Sequence, residues 1–182
     1  TIEQTAHDVS EQLGIAGAGR LFLIPSSIQA GEIVNVLREG YDVGLLNDGF
    51  RDVIEKLKLD YLLIDTHPGL NEETLLSIAI SNALVIIMRP DQQDYQGTAV
   101  TVDVAKKLDV PSLFILVNKA PQNLDLEEVR ARVEQTYDAK VGAILPHSDE
   151  MMMLASSGLF TVHYPEHVVT KGLRKLVDQL KA

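Results

Sequence analysis

Five short runs of consecutive apolar residues constrain the fold of this chain more than any other feature. The runs are LFLI (21–24), YLLI (61–64), ALVIIM (83–88), LFILV (113–117) and VGAIL (141–145). Apolar runs without polar alternation are typical of strands that are covered on both faces. The segments between them include stretches with helical spacing. The sequence therefore predicts an α/β fold, a doubly wound, mainly parallel sheet with helices on both faces.

Apolar residues at helical spacing predict three of the helices. The three sets are Val100, Val104 and Leu108; Leu126, Val129, Val133 and Tyr137; and Val169, Leu173, Leu176, Val177 and Leu180. Asp125 directly precedes the second set, and Glu128 follows it three residues later, which is the spacing of a helix N-cap. We expect Asp125 to begin that helix.

Length and composition limit the kind of protein. With 182 residues and 46% hydrophobic content, the chain can bury a substantial core, and we expect residues 1–182 to form one domain. Its 16 basic and 26 acidic residues give a net charge of -10. This charge argues against nonspecific DNA binding, which depends on basic side chains at phosphates. The absence of cysteine excludes disulfides and thiolate metal sites, and it fits a cytoplasmic protein.

Polar segments follow the apolar runs, at the carboxyl ends of the predicted strands. They are PSS (25–27), DTHPG (65–69), RPDQQD (89–94), NKAP (118–121) and PHSDE (146–150). Doubly wound sheets bind their ligands beyond this end of the strands. We therefore expect a polar rim that carries the functional site.

Asp65 stands directly after four apolar residues, where a carboxylate needs a cation or hydrogen-bond donors. Magnesium is often held through one such carboxylate near phosphates. Gly69, four residues later, offers a backbone N–H with no side chain in the way, which suits the sensing of a terminal phosphate. The alternative is structural: Asp65 caps the helix that begins near Asn71, or it forms a turn.

Asn118 follows a predicted buried strand, and its amide can both donate to and accept from a purine edge. Lys119 can lay its aliphatic stem over the base, and Pro146 can cover one face of the base. The alternative is that these residues form ordinary loops after strands, where Asn, Lys and Pro are common.

The order of these segments resembles the MinD/ParA family of deviant P-loop ATPases, and its MinD-like branch most of all. The segments are LFLIPSS (21–27), the stretch from LKLDYLLIDTHPG to QQDYQGT (57–98), LVNKAP (116–121) and VGAILPHSDEMMMLASSG (141–158). The resemblance extends from about residue 20 onward. It implies a P-loop NTPase-like fold, with ATP or ADP and Mg²⁺ as ligands.

The resemblance also implies roles for individual residues. Asp65 would be the catalytic residue, in the magnesium shell through water, and Gly69 would contact the terminal phosphate. Asn118 would read the adenine, with Pro146 beside that base. The family further implies a homodimer with ATP sandwiched at its interface, a protein partner or activator, and a function in positioning or partitioning cellular cargo.

The family's phosphate loop, a Gly-rich turn that ends in G-K-[ST], does not occur in these 182 residues. We expect the sequence to be the downstream portion of an ATPase whose upstream segment supplies this loop and its strand, beside the strand that ends at Asp65. The intact protein is expected to hydrolyse ATP, whereas this segment alone is not, because it lacks the loop's lysine and hydroxyl. Ser148 stands where the family often has an aspartate. The alternative function is a regulatory or scaffold module of the same fold without nucleotide turnover.

Two further segments each allow two interpretations. Met151, Met152 and Met153 suit either a soft partner surface or the core and rim of one helix, and we favour helix packing. The C-terminal KGLRKLVDQLKA (171–182) mixes basic and apolar residues, as a membrane-surface helix does. It also contains Asp178 and no aromatic anchor, so we favour a helix packed on the sheet.

Overall fold

The chain divides into two units, with the boundary between Asp65 and Thr66. The computed structural model describes residues 2–15, 17–25 and 43–181. Within these ranges, no helix is long and apolar enough to cross a membrane. The expectation that residues 1–182 form a single domain stays a prediction.

Four regular elements make up the described part of the first unit. They are a 3-10 helix (Ile2–Thr5), the strands β1 (His7–Asp8) and β2 (Phe22–Leu23), and the helix α1 (Val43–Leu57). The two strands pair antiparallel, and α1 contacts the 3-10 helix. Val53 of α1 is fully buried. The two strands are only two residues long each, and the unit contains no parallel pairing among its described residues.

The prediction of a covered strand at 21–24 is wrong. Only the two residues of β2 pair, antiparallel to β1, and Leu23 is 56% exposed. Local polar contacts hold this pairing, because the Asp8 carboxylate accepts hydrogen bonds from Arg20 Nε at 3.1 Å and from Ser10 Oγ at 2.6 Å. These bonds, those from Ser10 above all, hold the pKa of Asp8 below its usual value. The apolar run 21–24 thus contributes two residues to a local antiparallel pair, and it joins no parallel sheet among the described residues.

The prediction of a buried strand at 61–64 is also wrong for the described structure. Residues 61–67 pair with no strand, and Tyr61 and Leu63 are 61% and 86% exposed. An extended segment becomes a strand only when a neighbour satisfies its backbone N–H and C=O groups. No described segment supplies that neighbour to residues 61–64.

The second unit alternates strands with helices around a three-stranded parallel sheet of order β3-β4-β5. Its elements are α2 (Glu72–Ile80), β3 (Ala83–Met88), α3 (Gln92–Lys107), β4 (Ser112–Ala120), α4 (Leu126–Tyr137), β5 (Lys140–Pro146), α5 (Asp149–Leu154), α6 (Phe160–His163) and α7 (Val168–Leu180). The strands contain the apolar runs 83–88, 113–117 and 141–145. These three strand predictions are confirmed.

Successive residues of the central strand β4 point to opposite faces of the sheet, and helices cover both faces. Ile115 lies in one core cluster with Val102 of α3 and Val133 of α4. Its neighbour Leu116 lies in a second cluster with Val169 and Leu176 of α7. Covering both faces allows continuous apolar strands, because alternate residues are buried on opposite sides. The doubly wound α/β prediction is confirmed.

The helix predictions for α4 and α7 are confirmed, although Leu126 of α4 and Val177 of α7 are exposed. Asp125 is the N-cap of α4, where its carboxylate accepts from the backbone N–H of Glu127 at 2.9 Å and of Glu128 at 3.3 Å. The C-terminal helix α7 packs on the sheet, as its burial of Val169 and Leu176 shows.

The predicted face of α3 is wrong, although the helix itself is confirmed. Val100 is 56% exposed and Leu108 is 39% exposed. The buried face carries Thr98, Val102 and Ala105 instead. A count of large apolar residues misses this face because a threonine and an alanine contribute to it.

The preferred interpretation of the methionines is wrong for two of the three. Met151 packs against the core cluster that contains Leu116, whereas Met152 and Met153 are 63% and 76% exposed. The helix α5 has only six residues and turns one side to the core, so consecutive positions cannot all be covered.

One edge of β3 is unpaired among the described residues, because β4 takes the other edge. Ile87 of β3 is 62% exposed, although Leu116, its in-register partner on β4, is only 5% exposed. The described helices therefore cover this face over β4 but leave the Ile87 side chain open.

We expect the two isoleucines of neighbouring strands to differ sharply in their contribution to stability. In the 182-residue chain, Ile115→Ala should lower the free energy of unfolding by about 2 to 5 kcal/mol, because it leaves a cavity in a fully buried site. The control Ile87→Ala should change it by less than about 0.5 kcal/mol. Urea denaturation measures both values, and similar losses at the two positions would contradict the described sheet edge.

Candidate functional site

A β-bulge shapes the carboxyl end of β4. Val117 pairs with Ile144 of β5, and Ala120 pairs with Pro146, so three steps on β4 lie opposite two on β5. The extra residue of β4 lies in the segment between these two pairs, which consists of Asn118 and Lys119. Bulges of this kind bend a strand and redirect a side chain, and they are frequent beside functional sites.

The bulge places two polar side chains at the rim of the sheet. Asn118 is half-buried, and its Oδ1 accepts a hydrogen bond from the backbone N–H of Lys119 at 2.9 Å. The Nδ2 group of Asn118 has no partner in the described part of the chain. Lys119 is exposed and has a φ of 54°, a left-handed conformation that costs a residue with a side chain about 1 kcal/mol. Asn118 therefore keeps side-chain donors that are free for a ligand.

Pro146 ends β5 next to this bulge. The backbone continues the pairing by one step, because His147 donates its N–H to the Ala120 carbonyl at 2.9 Å. Ser148 then begins α5: its Oγ accepts from the Met151 N–H at 3.1 Å and donates to Glu150 at 2.8 Å. Since Ser148 is 8% exposed and its hydroxyl is engaged, it serves as a helix cap. The structure thus brings together Asn118, Lys119 and Pro146.

Arg89 extends the same rim on the other side. Met88 of β3 pairs with Val117, so the next residue, Arg89, leaves the sheet beside Asn118. Its guanidinium lies 3.2 Å from Asp94 and 3.3 Å from Asp91. The hydrogen bond to Asp94 is the main reason that the pKa of Arg89 is raised, and the same bond lowers the pKa of Asp94. Arg89 is the first residue of the RPDQQD segment of the predicted rim, but no feature of the sequence distinguishes it there.

Asp65 is the last residue of the first unit, and its side chain is exposed. It makes no hydrogen bond or ion pair with any described residue. The capping alternative is wrong, because Asn71 caps α2 by accepting from the Thr74 N–H at 2.8 Å. Asp65 therefore offers a free carboxylate.

Gly69 lies in the second unit and has a φ of +100°. A Cβ built on this residue would meet no atom within 4 Å, so nothing but the backbone conformation requires glycine here. Ser26 and Ser27, which belong to the first segment of the predicted rim, lie outside the described residues.

Asp65 and Asn118 each carry polar atoms that are free for a ligand. No group of three or more His, Asp or Glu side chains in the described part of the chain could hold a metal ion. One free carboxylate, that of Asp65, suits magnesium, which keeps several waters and often binds through a single carboxylate. The free Nδ2 donors of Asn118 suit the acceptor atoms of a purine edge.

Comparison with known proteins gives a distant curated relative. No protein-family model matches the chain. An uncharacterized ATP-binding protein, MJ0169 of Methanocaldococcus jannaschii, is 22% identical over 147 residues, which are 79% of this chain and 52% of the relative. The chain thus spans about half the length of that relative.

Two solved structures share the fold. A chain of the MinC:MinD cell division protein complex of Aquifex aeolicus has a TM-score of 0.74 at 13% identity, covering 99% of this chain and 68% of that one. The septum site-determining protein MinD of Pyrococcus horikoshii, complexed with Mg-ADP, has a TM-score of 0.70 at 17% identity, with the same coverage of 99% and 68%.

A parallel sheet with helices on both faces defines a doubly wound α/β protein. More particularly, the chain has the fold of the MinD ATPases of the MinD/ParA family. The resemblance found in the sequence is confirmed at the level of the fold.

Two glycines with equally open surroundings should respond to alanine in opposite ways. Gly69→Ala should lower the free energy of unfolding by about 1 kcal/mol, because alanine disfavours a positive φ. Gly97→Ala, within α3, should raise it by about 0.5 to 1 kcal/mol, because alanine favours a helix. Thermal or urea denaturation measures both free energies of unfolding. A Gly69→Ala variant as stable as the wild type would contradict the positive φ at Gly69.

Proposed function

We propose that this chain is part of a MinD/ParA-like ATPase, which binds and hydrolyses ATP with magnesium and so switches its dimerisation and its partners. The observation that carries the proposal is the β4 bulge, which leaves the Asn118 Nδ2 group without a partner next to Pro146. A purine needs such donors at its edge and an apolar surface on its face.

The adenine end of the site would consist of three residues. Asn118 would donate from Nδ2 to the base, while its Oδ1 stays bound to the Lys119 N–H. The exposed Lys119 side chain would lie over one face of the base, and Pro146 would lie beside it. Ser148 would contribute through the cap of α5 and not by contact with the base.

The phosphate end would use Asp65 and Gly69. Magnesium, when bound, neutralises charge on phosphate oxygens and supplies ordered waters. The free carboxylate of Asp65 would hold this shell through water and orient the attacking water. Gly69 would donate its backbone N–H to the terminal phosphate, from a conformation that favours glycine.

The names of similar proteins agree with this proposal but concern those proteins. The curated relative is described as ATP-binding, one MinD structure holds Mg-ADP, and another is a complex with MinC. By analogy, the intact protein would form a homodimer with ATP at its interface, engage a protein partner and position or partition cargo in the cytoplasm.

Nucleotide binding is tested on the full-length protein that contains this sequence. Saturating MgATP should raise its thermal midpoint, because a ligand of the native state alone stabilises that state. Asn118→Ala should remove most of this shift, whereas Asn123→Ala, which truncates an exposed asparagine in the next turn, should leave it intact. A protein that shows no shift with MgATP would contradict the proposal and favour the scaffold function.

Turnover is tested separately through Asp65. In the full-length protein, Asp65→Asn should lower the rate of ATP hydrolysis by about a hundredfold, because the amide cannot orient the attacking water as a carboxylate does. Asp60→Asn, five residues earlier and also exposed, should leave the rate unchanged. Phosphate release measures both rates. An unaffected Asp65→Asn variant, or turnover by the 182-residue chain alone, would overturn the assignment.

A further inference from the structure

Arg89 occupies a position at the rim that none of the proposed roles uses. It follows β3 directly, and the register Met88 to Val117 puts it beside Asn118. Neighbouring strands lie about 4.8 Å apart, so a phosphate joined to adenine through a ribose can reach from β4 to β3. Arg89 is therefore within reach of a nucleotide whose base lies against Asn118.

The orientation of the Arg89 side chain is set by Asp94. Nε donates to Asp94 Oδ2 at 3.2 Å, and Nη2 donates to Oδ1 at 3.3 Å. The same carboxylate accepts the Arg89 backbone N–H at 2.8 Å. The two side-chain bonds hold one edge of the guanidinium, whereas Nη1 has no partner among the described residues. Because the guanidinium is held by its Nε edge, its remaining N–H groups are oriented in advance.

The positions of free cationic donors favour one direction in which the phosphates would extend from the base. Past β5, the first turn of α5 carries the carboxylates of Asp149 and Glu150, and residues 147–154 contain no lysine or arginine. Towards β3, the rim carries Lys119, which has no ion-pair partner in the described structure, and Arg89. Asp91 and Asp94 lie at the held edge of Arg89, and together they carry one more negative charge than the guanidinium neutralises. The first turn of α5 thus offers a polyanion no cationic donor, whereas the β3 side offers the free N–H donors of Arg89 and Lys119.

We propose that Arg89 is a phosphate-contacting residue, whose free Nη1 edge binds the phosphates of a nucleotide that extends from Asn118 towards β3. Asp94 acts as the positioning residue for this guanidinium. The inference rests on the proposed nucleotide site, and it adds a phosphate contact to the roles proposed for Asp65 and Gly69.

Comparison of ATP with adenosine tests the role, because only ATP carries phosphates. In the full-length protein, Arg89→Ala should weaken ATP binding by about tenfold or more, since a hydrogen bond to a charged group is lost. Adenosine binding should change by less than about twofold. Asn118→Ala should weaken both ligands. Calorimetry, with displacement for the weaker ligand, measures the affinities of the wild type and of each variant for both ligands.

Another exposed arginine of this chain serves as the matched control for Arg89. Arg132→Ala removes another exposed arginine, paired with Glu128 on α4, and should affect neither ligand. Arg89→Ala with unchanged ATP affinity would overturn the proposal. Equal losses for ATP and adenosine would also overturn it, because they would show that Arg89 only supports the Asn118 position. A wild-type protein that binds neither ligand would refute the nucleotide site itself, whereas normal wild-type binding with an unaffected Arg89→Ala variant would refute the role of Arg89 alone.

Discussion

Between Val117 and Ala120, β4 advances by three residues while β5 advances by two. This one unmatched residue turns the end of a buried strand into a polar position. Without it, Asn118 and Lys119 would continue the regular pairing of a strand that is apolar up to Val117. With it, one backbone donor binds the Asn118 side chain, Lys119 takes a left-handed conformation, and the side-chain donors of Asn118 remain free.

A costly backbone at the rim persists because the sheet beneath it is rigid. Ile115 and Val117 are fully buried on one face, and Leu116 is buried on the other. The helices on both faces hold β4 in place, because a close-packed core leaves few voids into which the strand could shift. The core therefore supplies the stability, and the rim residues can hold conformations that favour ligand contact instead of folding. Arg89 is likewise held in place, because the Asp94 carboxylate accepts hydrogen bonds from its backbone N–H and from its Nε.

Much of the second unit could be predicted from the sequence, because its strands and helices are defined by local patterns. Three apolar runs became β3, β4 and β5, and Asp125 caps α4. The runs at 21–24 and 61–64 have similar patterns and form no parallel strands, since a strand depends on a neighbour that a local pattern does not contain. The bulge was beyond prediction for the same reason: it is a property of the register between two strands. Arg89 became notable only when the register placed it beside Asn118.

The central claim is that the free amide of Asn118 faces an adenine. Nuclear magnetic resonance of the full-length protein with MgADP tests it most directly, through nuclear Overhauser contacts between the Asn118 side-chain amide protons and the adenine protons. The account predicts such contacts, together with a shift of the Asn118 Nδ2 resonance when the nucleotide is added. A bound nucleotide whose adenine shows contacts only to other residues, with the Asn118 resonance unmoved, would contradict it.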